Sequence, residues 1–209
     1  GQGLADTFRA LGVDTIVSGG QTMNPSTEAI LKEVNRTPSE VVFILPNNKN
    51  IIMAAQQCEG LTEKQIIVIP TATVPQGITA MMSFDPDETD PQTIAQAMVA
   101  AAQTVSTAQI TYAARNSDFD GFAINEGDYL ALLDGKLFGT SRSMDELLEK
   151  LSQHAAEADA EYINIYTGEG VSEGEGAKTE ALFAQRCPDA EVAAIPGGQS
   201  VYFYIISIE

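Results

Sequence analysis

Three loops concentrate the amide, hydroxyl and glycine groups of this chain: "SGGQTMNPS" (18–26), "PNNKNI" (46–51) and "PTATVPQG" (70–77). Each leaves a short apolar run and opens an amphipathic stretch. The candidate groups are Ser18, Gly19, Gly20, Gln21, Thr22 and Asn24 in the first loop. Asn47, Asn48, Lys49 and Asn50 supply the second, and Thr71, Thr73 and Gln76 the third. A helix that begins in such a loop exposes unpaired N–H groups and the positive end of its dipole, which suit an anion. The same residue types are also ordinary helix caps. Neither a Walker A loop nor a GxGxxG fingerprint is present, because "GGQTMNPST" lacks the Gly-Lys-Ser/Thr ending. Lys49 is the only cation in the three loops, which is thin for a nucleotide.

Other chemistry is sparse. Ser18 has the position of a strand-end nucleophile but no accompanying base. The one histidine, His154, sits in the helical stretch "DELLEKLSQHAAEADAEY", which reads as a surface position. Cys58 and Cys187 are far apart and form no CxxC, so reduced thiols are expected. Asp118, Asp120, Glu126 and Asp128 flank hairpin turns rather than following calcium-loop spacing, and read as solvated. The acidic "TGEGVSEGEGAK" (167–178) reads as a mobile loop opening a helix at about 176 and suited to a basic partner. "IPGGQSVYFY" (195–204) reads as packing residues, Tyr202 and Tyr204 among them.

The elements that must hold these loops follow from periodicity. "VDTIVSGG", "EVVFILPNN" and "KQIIVIPTAT" read as strands, followed by helices from about Pro25, Lys49 and Pro75. Asn24 fits the first N-cap, with Pro25 in the first turn. Alternating strands and helices argue for a parallel sheet, and continuous apolar runs for strands covered on both faces. Asp90 caps an Ala-rich helix over about 91–106. Residues 109–140, with turns at Asp120-Gly121, Glu126-Gly127 and Asp134-Gly135, read as an antiparallel meander. A helix capped by Ser143, a strand (162–168), a helix and two final strands follow. The fold expected is α/β in two lobes: 1–90, with three parallel βα units, and 91–209, a connecting helix plus a mixed sheet.

Eleven Lys+Arg against 29 Asp+Glu give a net charge of −18, which repels nucleic acid and anionic membranes and favours solubility or a basic partner. No apolar window is long enough for a transmembrane segment, and no signal-peptide pattern is present, so a cytoplasmic location is expected. The chain opens at Gly1-Gln2-Gly3 already in helical pattern, as a piece of a longer protein would.

Several stretches together resemble one family. "GGQTMNPST", "ILPNNKNI", "VIPTATVPQGITAM", "ARNSDFDGFAINEGDYLALLDGK" and "GGQSVYFYIISIE" are similar, in the same order and over nearly the whole chain, to the C-terminal region of the A-type subunit of fatty acid kinase. This is the dihydroxyacetone-kinase-like, DAK2-domain-containing family of bacterial lipid metabolism and phospholipid synthesis. The resemblance implies a fold like that of DegV proteins and the dihydroxyacetone-binding subunit. It implies no cofactor in this domain, with ATP and magnesium held by a separate N-terminal domain. It implies as partners a DegV-type fatty-acid-binding protein and the other domains of its own chain, with a homodimer formed through the full-length protein. Dihydroxyacetone kinases hold substrate through a histidine. The first lobe of this chain has none, so that chemistry is not carried over.

Three functions follow. The first is a non-catalytic module, part of an ATP-dependent kinase, that docks the acyl-carrying partner through the three loops. The second is a small-molecule lobe binding a polyol or phosphate among Gly19, Gly20, Asn24, Asn47, Asn48 and Thr71. The third, a hydrolase using Ser18, is the weakest.

Overall fold

The computed structural model describes residues 1–19 and 23–209. Helix α1 (Gln2–Ala10) leads to α2 (Thr27–Arg36), β1 (Val41–Ile44), α3 (Lys49–Gln57), β2 (Gln65–Val68), α4 (Val74–Met82) and α5 (Pro91–Ala102). β1 and β2 pair in parallel, with Val42 opposite Ile66 and Phe43 opposite Ile67. Val42 and Ile66 pack with Ile30 and Val34 of α2 and Ile51 of α3. Phe43 and Ile67 turn the other way, onto Ala80, Met81, Ile94 and Met98 of α4 and α5. Alternate residues thus meet apolar cover on both sides, which is why the strands read as unbroken apolar runs.

Three corrections concern this half. "VDTIVSGG" forms no strand over its described residues: the apolar run is only Thr15-Ile16-Val17, and the Thr15 hydroxyl instead lies 3.1 Å from that of Thr37. The N-cap of α2 is Ser26, not Asn24; its hydroxyl accepts from Ala29 N–H at 3.1 Å, and Pro25 precedes the helix. α5 begins at Pro91 after an Asp90 cap, as expected, but ends at Ala102, because β3 (Ser106–Tyr112) follows at once.

β4 (Ser117–Phe119), β5 (Phe122–Ile124), β6 (Tyr129–Leu133) and β7 (Lys136–Ser141) form the expected meander. The turns Asp120-Gly121 and Asp134-Gly135 hold both residues at positive φ, the geometry that matches strand twist. α6 (Met144–Glu157), capped by Ser143, precedes β8 (Tyr162–Thr167), α7 (Glu173–Arg186), β9 (Glu191–Pro196) and β10 (Tyr204–Ile208). The six-stranded sheet runs β7-β6-β3-β10-β8-β9. β10 is antiparallel to both β3 and β8, while β8 and β9 are parallel. Leu147, Leu151 and Phe183 of α6 and α7 are fully buried with Ile163, Ile165 and Ile206 of the sheet. Each such side chain contributes about 1.5–3 kcal/mol.

α7 starts at Glu173 rather than 176. Ser172 and Glu175 form a capping box there: Ser172 Oγ accepts from Glu175 N–H, and Glu175 Oε2 accepts from Ser172 N–H at 2.8 Å. Most of the stretch expected to be an acidic loop is therefore helix. Tyr204 begins the central strand, and its hydroxyl meets Thr179 Oγ1 at 3.0 Å.

By contacts the described residues form two compact units, Ala5–Val105 and Ser106–Glu209 together with Gly1–Leu4. The division expected at residue 90 thus falls beyond α5, whose Ile94, Ala95 and Met98 share a core with Ile69 and Ala80.

Candidate functional site

Two loops leave the carboxyl ends of β1 and β2, the edge where parallel α/β sheets gather ligands. The sequence ILP ends β1 and VIP ends β2; in both, proline withdraws an N–H from the ladder and the polar loop begins. Asn47 then turns through φ 58°, a left-handed conformation that asparagine tolerates. Its N–H donates to Thr71 Oγ1 at 3.0 Å, and the Thr71 hydroxyl donates to Asn47 Oδ1 at 2.8 Å. Thr71 is fully buried. The Asn47 amide rests on Gly77 of α4, where a Cβ would overlap it. Gln76 Oε1 accepts the Ala72 N–H at 2.7 Å. Asn48 caps α3 and Thr73 caps α4.

Five of the expected site residues, Asn47, Asn48, Thr71, Thr73 and Gln76, are therefore brought together, and hydrogen bonds join them to one another and to the two helix starts. Lys49 and Asn50 stand exposed on the first turn of α3, with Met53 one turn on and 69% exposed. Ser18, Gly19 and Asn24 are exposed, while Gly20, Gln21 and Thr22 lie outside the described residues. His154 is in the other unit, its ring 5.7 Å from that of Phe138 in an edge-on pair. It is half-buried rather than decorating the surface. Among the described residues no group of three or more His, Cys, Asp or Glu is placed to hold a metal. Burial pushes the thiol pKa of Cys58 and of Cys187 up, so neither is an activated nucleophile.

A second edge was missed in the sequence. The carboxyl ends of β3, β8 and β9 point the same way, and the loops 168–172 and 197–203 meet there. Gly168 N–H donates to Phe203 O at 2.8 Å and Glu169 N–H to Gln199 O at 2.9 Å. Gly197 and Gly198 both donate to Thr167 O at 2.9 Å. A Cβ at Gly168 would overlap the Tyr202 carbonyl. Gln199 is 3% exposed; its amide donates to Tyr166 O at 2.9 Å, and its Oε1, over Gly197, has no donor. Val201 has φ 70°, and Tyr202 N–H closes back to Ser200 O at 2.8 Å, a strained γ-turn. The result is an open groove of about 370 Å³ walled by Tyr112, Tyr202 and Phe203. The signal available was the pair of glycine-bearing loops "TGEG" and "PGGQS", each following a strand of one β-α-β unit.

The model of the FakA-like C-terminal family, the C-terminal domain of the A-type subunit of fatty acid kinase, matches residues 1–209. This chain belongs to that family. It is 39% identical over 209 residues to protein YloV of Bacillus subtilis (strain 168), covering 100% of this chain and 38% of that protein. The chain thus spans well under half the length of the curated relatives it matches. Among solved structures, the DegV family protein Cg2579 of Corynebacterium glutamicum matches with TM-score 0.68 at 14% identity, covering 98% of this chain and 91% of that one. The Fatty Acid Kinase (Fak) B3 protein of Streptococcus pneumoniae, solved loaded with linoleic acid, matches with TM-score 0.63 at 11% identity, covering 88% and 76%. The FakA-like domain therefore has the two-part α/β fold of DegV proteins. No helix among the described residues is long and apolar enough to cross a membrane.

Proposed function

We propose that this domain is a non-catalytic part of a fatty acid kinase, working in the bacterial cytoplasm. It docks a DegV-type fatty-acid-binding partner so that a separate ATP- and magnesium-binding domain can phosphorylate the acyl carboxylate. Family membership over the full chain supports the kinase assignment. The observation that carries the docking reading is the closed Asn47–Thr71 pair. It turns the amide chemistry of the strand edge inward and leaves Lys49, Asn50 and Met53 outward, a surface rather than a cradle.

Titration of the full-length subunit with its DegV-type protein tests this. Saturable binding, weakened about 10-fold by Lys49→Glu with Met53→Asp, is expected. Absence of binding by the wild-type subunit overturns the docking reading. The helix N-termini of α3 and α4 at the same edge keep a polyol or phosphate ligand as a second reading. Thermal stabilisation by glycerol phosphate without partner binding would favour it.

A further inference from the structure

The groove between residues 111–112, 169–170 and 199–203 is built rather than incidental. Both of its loops are tied to the sheet edge: Phe203 N–H donates to Ile110 O at 2.9 Å, and the Thr111 hydroxyl donates to Val201 O at 2.8 Å. Phe203 and Tyr112 each stack edge-on against Tyr129, with centroids 5.7 Å apart in both pairs. Gly170 lies against the Phe203 ring, so the wall admits no side chain there. The β-branched Val201 is held at positive φ and 43% exposed, while Tyr112 is 48% exposed. A β-branched residue at positive φ is strained, and such strain persists where the surroundings over-determine it, often at binding sites.

The chemistry of the walls is one-sided. They offer aromatic faces, backbone carbonyls and one carboxylate, Glu169, and none of the lining residues is Lys or Arg. Aromatic faces and a carboxylate favour a delocalised, donor-only cation. The chain's net charge of −18 draws the same kind of group.

We propose that this groove receives an arginine side chain of the docked acyl-binding protein, its guanidinium stacked on Tyr112 and paired with Glu169. The proposal rests on the docking reading above and gives that contact its chemistry.

The test uses the full-length subunit, titrated with its DegV-type partner at two salt concentrations. Tyr112→Ala and Glu169→Gln are each expected to weaken binding about 5- to 10-fold, and Glu169→Gln to flatten the salt dependence. Tyr112→Phe, which keeps the ring, is expected to bind as the wild type does, and thermal unfolding checks that each variant is folded. Ethylguanidinium chloride, compared with sodium chloride at equal ionic strength, is expected to shift the Glu169 and Gly170 amide resonances saturably in the wild type and not in Tyr112→Ala. Wild-type binding that all variants retain overturns the groove proposal and leaves docking intact. No binding by the wild type overturns both. An ethylguanidinium response that survives Tyr112→Ala also overturns it.

Discussion

The N–H of Asn47 donates to Thr71 Oγ1 at 3.0 Å, and the Thr71 hydroxyl donates back to Asn47 Oδ1 at 2.8 Å. One buried hydroxyl thus joins the loop after β1 to the loop after β2. Thr71→Val keeps the shape and strands both Asn47 groups, so a loss of about 1–3 kcal/mol is expected. Thr71→Ser keeps the hydroxyl and should lose less, by one methyl group. Urea unfolding midpoints of the two variants check the difference.

The two glycines Gly77 and Gly174 should respond oppositely to alanine. At Gly77 a Cβ overlaps the Asn47 amide, which is itself fixed by Thr71. Gly77→Ala is expected to destabilise by about 1–3 kcal/mol despite alanine's better helix propensity. Gly174 in α7 has nothing within 4 Å of its would-be Cβ. Gly174→Ala should stabilise by up to about 1 kcal/mol. Thermal melts of both proteins read the sign directly.

The capping box of α7 carries an acid-side prediction. Hydrogen bonds from the Ser172 N–H and then its hydroxyl hold the Glu175 carboxyl below its ordinary pKa of 4.5. A depressed folded pKa means the contribution is present above the unfolded value and lost as pH falls through the folded one. The stability of α7 is therefore expected to fall as pH drops below about 4.5. Ser172→Ala should return the Glu175 titration to the ordinary range, as a carbon-detected NMR titration would show, and cost about 0.5–2 kcal/mol.

On the alkaline side the sign reverses. Burial, with Glu209 adding repulsion, pushes the Tyr166 hydroxyl up to about 12 from 10.0. Burial also raises Tyr202 and Tyr204. The folded chain therefore holds phenolic protons that the unfolded chain releases. This contribution is complete below pH 10 and lost as pH rises towards 12. Tyrosinate absorbance near 295 nm is expected to rise together with the loss of helical circular dichroism, and Tyr166→Phe to move that transition upward.

The two-lobed fold was legible because both of its periodicities are strong. Val42 and Phe43 are neighbours that face opposite apolar layers, and their run of apolar residues says so before any coordinates do. The Asp-Gly turns likewise fix the meander. What escaped was tertiary. Whether "TIVS" becomes a strand depends on a ladder partner, and the sequence cannot say that Thr15 would turn to Thr37 instead. The amide-rich loops were found, but caps and ligand groups use the same residue types, so the inward Asn47–Thr71 pairing was invisible. The second groove was hidden because Tyr112 and Tyr202 are separated by most of that unit's chain and meet only through the position of β10.

That position of β10 has a consequence for how the sheet is assembled. β3 and β8 each hold one side of a gap that only Tyr204–Ile208 fills, and all five residues of the strand are buried. The β6–β7 hairpin can zip from its tight turn, but the central seam joins segments far apart along the chain, so loop-closure entropy must be overcome first. Until the seam closes, β3 and β8 present bare apolar edges that other chains can pair with. The slow step of folding and the greatest exposure to aggregation therefore coincide in one five-residue strand.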